Sequence, residues 1–150
     1  PSIQIDYVDN LDTITQPINS RRLHGPQPGR RNYWDNRVRG AGPPPIKTKY
    51  GWLLLYHAQD DRQPDKYKIG AMILDSNEPT KILYRSPQAI LEPDAHYEND
   101  GKPGVVYASG AVVIGNNLAV YYGGGDKHVC IAQTPLDNLL EWLVRYGKVN

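Results

Sequence analysis

Three groups of residues in this chain have the types and spacing to handle a polar ligand. Asp126 follows the run Tyr121-Tyr122-Gly123-Gly124-Gly125, whose glycines let backbone approach a bound molecule closely. Lys47, Thr48 and Lys49 follow three consecutive prolines, Pro43-Pro44-Pro45, which fix φ and remove three donors. A stiff loop of this kind can hold cations and a hydroxyl over a polar ligand. His57 closes the apolar run Trp52-Leu53-Leu54-Leu55-Tyr56. Read from the residues alone, Asp126 is first a turn residue. His57 is equally a half-buried histidine bonded to a carbonyl or a ligand group. Tyr56, Tyr67, Tyr97, Tyr107, Tyr121, Tyr122, Trp34 and Trp52 add aromatic faces and hydroxyls, and the chain has no phenylalanine. Such faces stack on the C–H sides of sugar rings, and they serve equally as strand packing.

Other chemistries fit poorly. The chain has no Gly-x-Ser-x-Gly, no His-Glu-x-x-His and no phosphate-loop lysine motif. His24, His57, His96 and His128 show no metal-ligand spacing, so neither a metal nor an organic cofactor is expected. Glu92, Asp94 and Glu98 surround His96 on a proline-containing loop and read as a solvated acidic turn. With 17 basic and 16 acidic residues the net charge is +1, so no bulk field recruits nucleic acid or an anionic membrane. The arginines Arg21, Arg22, Arg30, Arg31, Arg37 and Arg39 all precede the prolines, but no groove-reading helix follows them. The single cysteine, Cys130, excludes an internal disulfide framework, reads as a buried structural thiol and fits a reducing, cytoplasmic compartment. No apolar stretch approaches the ~18 residues of a membrane span. The chain opens on Pro1, which hints at processing or at a fragment.

The elements that must position these groups are mostly short strands. At 150 residues the length fits one domain, with residues 1–150 read as a single segment. Strands are predicted at Ile3 to Val8, Gly51 to Ala58, Lys66 to Leu74, Lys81 to Tyr84, Val105 to Ala108, Ala111 to Ile114, Leu118 to Tyr122 and Val129 to Ala132. Gln59 to Asp65 reads as the polar connection of a hairpin. One helix is predicted near the end. Thr134 or Pro135 opens it, Leu136, Leu139, Leu140, Leu143 and Val144 form its apolar face, and Gly147 stops it. The run from Trp52 through Gly70 is echoed by the run from Leu118 through Ala132, at an offset of about 65 residues. Paired strands with many glycines and prolines argue for an all-β sandwich or propeller, here about two blades plus a C-terminal helix.

One ordered set of segments resembles glycoside hydrolase family 130, the β-mannoside phosphorylases and related enzymes. It comprises Trp34-Asp35, Arg37 through Thr48, Gly51 through His57, Tyr67 through Ala71, Leu74-Asp75, Pro79 through Lys81 and Arg85-Ser86. Tyr97-Glu98, Gly110 through Val113 and Tyr121 through Asp126 complete it. The resemblance covers nearly all of the chain and matches the C-terminal half of such an enzyme. It implies a five-bladed β-propeller with a sugar in a central funnel. It also implies inverting cleavage of β-mannosides, releasing mannose 1-phosphate where inorganic phosphate is the co-substrate. On that resemblance Asp126 binds sugar hydroxyls, while His57, Tyr67 and Thr48 line the funnel and Lys47 meets phosphate. The implied partners are a mannose-containing oligosaccharide, phosphate, and either a complementing N-terminal half or further copies of the chain. The family's general acid lies in a Glu-Asp-Pro-Arg-like segment that has no counterpart here, so no catalytic residue is assigned within the chain. Inverting cleavage requires that proton donor. The alternatives are a non-catalytic carbohydrate-binding propeller fragment and an unrelated β-rich interaction domain.

Overall fold

The computed structural model describes residues 3–13, 21–22 and 32–149. Two antiparallel sheets face each other across one core, and a single helix closes one side. The first sheet contains β3 (Arg37–Ala41), β4 (Ile46–Thr48), β5 (Gly51–Asp60), β6 (Gln63–Leu74) and β7 (Ile82–Arg85). Its order is β3-β5-β6-β7, with β4 pairing β5 beside β3. The second sheet is β8 (Val106–Ile114), β9 (Asn117–Gly124) and β10 (His128–Pro135), with β9 in the middle. A small pair, β1 (Gln4–Ile5) and β2 (Arg21–Arg22), stands apart, and α1 (Leu136–Tyr146) ends the chain. The two sheets and one helix match the predicted all-β class with a C-terminal helix, and the described residues form no closed ring of blades. His24, Arg30 and Arg31 lie outside the described residues.

β5 from Leu53 to Tyr56 and β6 from Ile69 to Leu74 are apolar runs because both of their faces are covered. Leu53, Leu55, Ile69, Ala71 and Ile73 face the second sheet and α1, meeting Val106, Ala108, Leu118, Val120, Tyr122, Leu140 and Leu143. The alternate residues Leu54, Tyr56, Ala58, Met72 and Leu74 pack with Trp34 and Val38 on the opposite side. That second core holds a buried charge network. Asp35 pairs with Arg85, the Tyr56 hydroxyl donates to Asp35 at 2.6 Å, and Arg85 Nε donates to Tyr56 at 3.2 Å. Gly70 makes room for it, since a Cβ there would lie 2.6 Å from both the Trp34 and Tyr56 rings.

Several boundaries differ from the sequence reading. The Ile3 to Val8 strand contracts to Gln4–Ile5. Gln59 to Asp65 is not a long connection, because β5 and β6 continue through it to the pair Asp60↔Gln63. Arg62 closes that tight turn with its backbone N–H on Asp60 Oδ1 at 2.9 Å and a forked guanidinium contact on the same carboxylate. Val105 to Ala108 and Ala111 to Ile114 join into the single strand β8, bent by a bulge between Ala108 and Gly110.

The proline loop is an interruption of the sheet edge. β3 pairs with residues 56–59 of β5 and β4 with residues 51–53. The Gly42 N–H still reaches the Leu55 carbonyl at 2.8 Å. Pro43-Pro44-Pro45 therefore stand opposite Leu54 alone and bow out of the edge, where their missing donors cost no ladder bond. The helix follows its predicted span. Asn116 caps it, its carbonyl accepting from Leu136 N–H at 2.7 Å and its side chain from Asp137 N–H at 3.2 Å. No helix among the described residues is long and apolar enough to cross a membrane.

Candidate functional site

The two sheets share two distinct ends. At one end lie the Thr48–Gly51 turn, the β8–β9 turn and the start of α1. At the other lie the far ends of β5, the start of β6 and β8, and the turn between β9 and β10. The sequence-predicted site residues divide between them.

His57, Tyr67 and Asp126 fall at the second end. His57 is 1% exposed, and its Nε2 accepts from the Ala108 N–H at 2.9 Å. The histidine is therefore tied to a backbone donor. Nε2 as acceptor fixes the neutral tautomer with its proton on Nδ1. That nitrogen has no hydrogen-bond partner among the described residues, although the Ala41 backbone lies beside it. Burial pushes the imidazole down to about 4, so it stays uncharged near neutrality. The Tyr107 ring stacks on it at 4.0 Å and 10°, with much of that ring left open to solvent.

Tyr67 is tied to the neighbouring loop through its N–H on the Gly104 carbonyl at 2.7 Å. Its hydroxyl accepts from Arg39 Nε at 2.8 Å, and the guanidinium lies 5.7 Å from its ring centre. Arg39 sits in the β3 register shift between Val38 and Gly40. A bulge re-aims the extra residue, which brings this exposed cation over β5 to Tyr67. Further shifts fall between Ala58 and Asp60 and between Ala108 and Gly110. Three bulges thus cluster around one end of the sheets.

Asp126 occupies the β9–β10 turn with φ 52°, and it is the described non-glycine residue with a left-handed backbone. Aspartate tolerates that region better than most residues, and Gly125 before it has φ 59°. Its carboxylate is exposed and meets Lys102 at 3.6 Å. The turn is anchored from both sides, by Gly125 N–H on Val105 carbonyl at 2.9 Å and Lys102 N–H on Gly125 carbonyl at 2.7 Å.

Lys47 and Thr48 lie at the first end. The Thr48 hydroxyl donates to the Gly51 carbonyl at 2.7 Å and accepts from the Tyr50 N–H at 3.2 Å, so it closes the β4–β5 turn. Lys47 rests over the Trp52 ring at 4.6 Å, and Lys49 pairs with Asp137 of α1 at 2.8 Å. Thr48 pairs with Gly51, and the strand runs on from there to His57. At ~3.3 Å per residue that puts the two predicted groups about 20 Å apart.

The acidic turn also differs from its reading. Asp94 is exposed and pairs with Lys66 at 3.6 Å, and Glu92 pairs with buried Lys68 at 3.1 Å. Glu98, by contrast, is only 2% exposed. Its carboxylate accepts from the Tyr122 hydroxyl at 2.7 Å and from the Ala95 N–H at 2.8 Å. Arg39 and Tyr107, the other members of the polar end, stand in the sequence only among the arginines and the aromatic residues. Only the bulge and the sheet pairing reveal that they join it. No group of three or more His, Cys, Asp or Glu side chains among the described residues could hold a metal ion.

A carboxylate, a guanidinium bonded to a phenol, a neutral imidazole and an open aromatic face thus share one end of a β-structure. Groups of these types can bond hydroxyls, stack on a ring face and hold negative charge. Comparison with known proteins gives the family. The model of the β-1,4-mannooligosaccharide phosphorylase family, glycoside hydrolase family 130, matches residues 20–145. The chain belongs to that family.

A 1,2-β-oligomannan phosphorylase of Thermoanaerobacter sp. (strain X514) is 43% identical over 102 residues, 67% of this chain and 34% of the relative. The β-1,2-mannobiose phosphorylase of Listeria innocua is 42% identical over 124 residues, 82% of this chain and 34% of the relative. The solved Listeria enzyme in complex with β-1,2-mannobiose superposes with a TM-score of 0.73 at 40% identity, covering 83% of this chain and 34% of that one. A glycosyl hydrolase from Bacteroides ovatus gives a TM-score of 0.67 at 28% identity. The chain spans about a third of the length of the curated relatives it matches.

Proposed function

We propose that this chain supplies the sugar- and phosphate-holding part of an enzyme that cleaves β-mannosides by inverting phosphorolysis, releasing mannose 1-phosphate. The observation that carries the reading is the gathering of Asp126, Tyr67, Arg39, His57 and Tyr107 at one end of the sheets, in a chain of this family. Asp126 accepts from sugar hydroxyls, and the open face of Tyr107 meets the ring. Arg39, oriented by Tyr67, offers its guanidinium to phosphate, the bidentate geometry that suits an oxyanion. His57 contributes a neutral, fixed imidazole behind Tyr107. Lys47 and Thr48 stand outside this site.

The general acid belongs to another part of the intact protein, since an inverting reaction needs a proton on the leaving oxygen. The second sheet has room for that part. Its outer face carries the in-register row Gly110–Tyr121–Ile131, and Val129 beside it is 92% exposed. An apolar sheet face of this kind fits coverage by a further blade of a five-bladed propeller. We place the protein in the cytoplasm, with phosphate as the co-substrate and no bound cofactor.

The test is release of mannose 1-phosphate from β-1,2-mannobiose, assayed with and without inorganic phosphate. The 150-residue chain alone should bind the disaccharide without turnover, and turnover should appear when the complementing N-terminal segment is added. Phosphate-dependent turnover by the chain alone would refute the placement of the acid. Absence of binding by the chain would refute the site.

A further inference from the structure

The turn carrying Asp126 is held from beneath by a carboxylate that the proposed reaction does not use. Glu98 ends the short 3-10 helix His96–Glu98, and its two oxygens are divided. One accepts from the Ala95 N–H and fixes that helix; the other accepts from the Tyr122 hydroxyl of β9. Tyr97 adds a 3.5 Å hydroxyl contact to Tyr122, and burial together with these partners pushes the Tyr122 phenol up. The phenol therefore stays protonated and remains a donor to Glu98.

The helix is pressed directly against the glycines that precede Asp126. A Cβ on Gly124 would come within 3.4 Å of Glu98 Cγ, 3.5 Å of the Tyr97 ring and 3.0 Å of Cys130 Sγ. A Cβ on Gly125 would meet the Glu98 backbone carbonyl and the Tyr97 oxygen, both at 3.3 Å. Gly101, at φ 146°, allows the rest of the loop to close over the same turn, where a Cβ would fall 2.4 Å from the Gly125 oxygen. The glycine run thus admits a neighbouring helix as well as a ligand.

We infer that Glu98 is a positioning residue: through Tyr122 and the Gly124–Gly125 contact it sets the left-handed turn that aims Asp126 at the sugar. The sugar part of this inference rests on the proposed function; the hold on the turn does not. A buried carboxylate with two donors is directional, and a well-packed apolar substitute could fill the space without fixing the turn's angle.

The experiment uses the 150-residue chain with Glu98→Gln and Tyr122→Phe, singly and together. Glu98→Gln keeps the shape but cannot accept both bonds through oxygen. Backbone amide signals of Gly124, Gly125 and Asp126 should shift in each single variant, and the double variant should add little to either. Affinity for β-1,2-mannobiose should fall about tenfold, the scale of one hydrogen bond to a charged group. Leu143→Ala, which destabilises the core by truncating a helix side chain, should leave those three signals in place. Unmoved signals in Glu98→Gln overturn the inference, as do moved signals with unchanged affinity. If the unsubstituted chain does not bind the disaccharide, the reading of the sugar site fails, and the shift of the turn still decides whether Glu98 holds it.

Discussion

The two ends of the paired sheets carry similar residue types and use them differently. At the Thr48 end the groups shape the chain: Thr48 closes a turn, Lys49 pairs with Asp137, Lys47 lies over Trp52, and Asn116 caps α1. At the Asp126 end the groups are fixed but keep capacity. Arg39 spends one N–H on Tyr67, Tyr107 leaves much of its ring open, and Asp126 projects from a left-handed turn. Register shifts in β3, β5 and β8 gather at this second end. A group that satisfies its neighbours completely stabilises the fold. One that is held in place with a face to spare can receive a ligand.

The contrast can be broken in stages. The largest effect is expected midway between the ends, at the Asp35–Tyr56–Arg85 network. Asp35→Ala leaves the Arg85 charge buried and unpaired, so unfolding by urea should show a loss of about 3–5 kcal/mol. Both ends should loosen together in amide exchange; a loss confined to one end would break the picture of a shared scaffold.

Next comes Asp126→Ala. It should abolish binding of β-1,2-mannobiose, by more than about a hundredfold for two lost bonds to a charged acceptor. Titration calorimetry reads it, and an unchanged Kd would remove Asp126 from the site.

His57 gives a pH signature. Its folded value of about 4 lies below the ordinary value near 6.5, so the unfolded chain takes up the proton first as pH falls. Stability should be fully present above about pH 6.5 and decline toward pH 4, by up to about 3 kcal/mol. In His57→Gln this slope should flatten; a slope that persists unchanged would assign it to other groups.

The smallest effects belong to the Thr48 end. Thr48→Val should cost about 1 kcal/mol of stability by opening the turn, with sugar affinity intact. Lys47→Ala loses its stacking on Trp52, about 0.5–1 kcal/mol, again without altering sugar or phosphate binding. Lost phosphate binding in Lys47→Ala would return that lysine to the site.

Much of this division was open to the sequence only in part. The helix was legible because its leucines repeat at helical spacing and Gly147 ends it; a Cβ there would strike the Arg85 carbonyl at 2.5 Å. The central strands were legible as apolar runs, and the internal echo corresponds to the hairpins β5–β6 and β9–β10. What stayed hidden depends on pairing across the sheets. β3 and β4 are single edge segments cut by prolines, so neither has the length to announce itself, and Arg39 therefore carried no sign of meeting Tyr67. Lys47 and His57 are close in sequence, yet a fully extended strand separates neighbours in sequence more than any other element. Glu98 looked like one acid among three on a loop, because burial by Tyr122 and Gly124 comes from a strand far along the chain.

The central claim is that the ligand end is the one carrying Asp126. It is tested most directly by following the backbone amide signals of the 150-residue chain during titration with β-1,2-mannobiose. Shifts are expected at Tyr107 and at Gly124 through Lys127, with Thr48 through Gly51 unmoved. Shifts centred on Lys47 through Gly51, with the Asp126 turn silent, would contradict it.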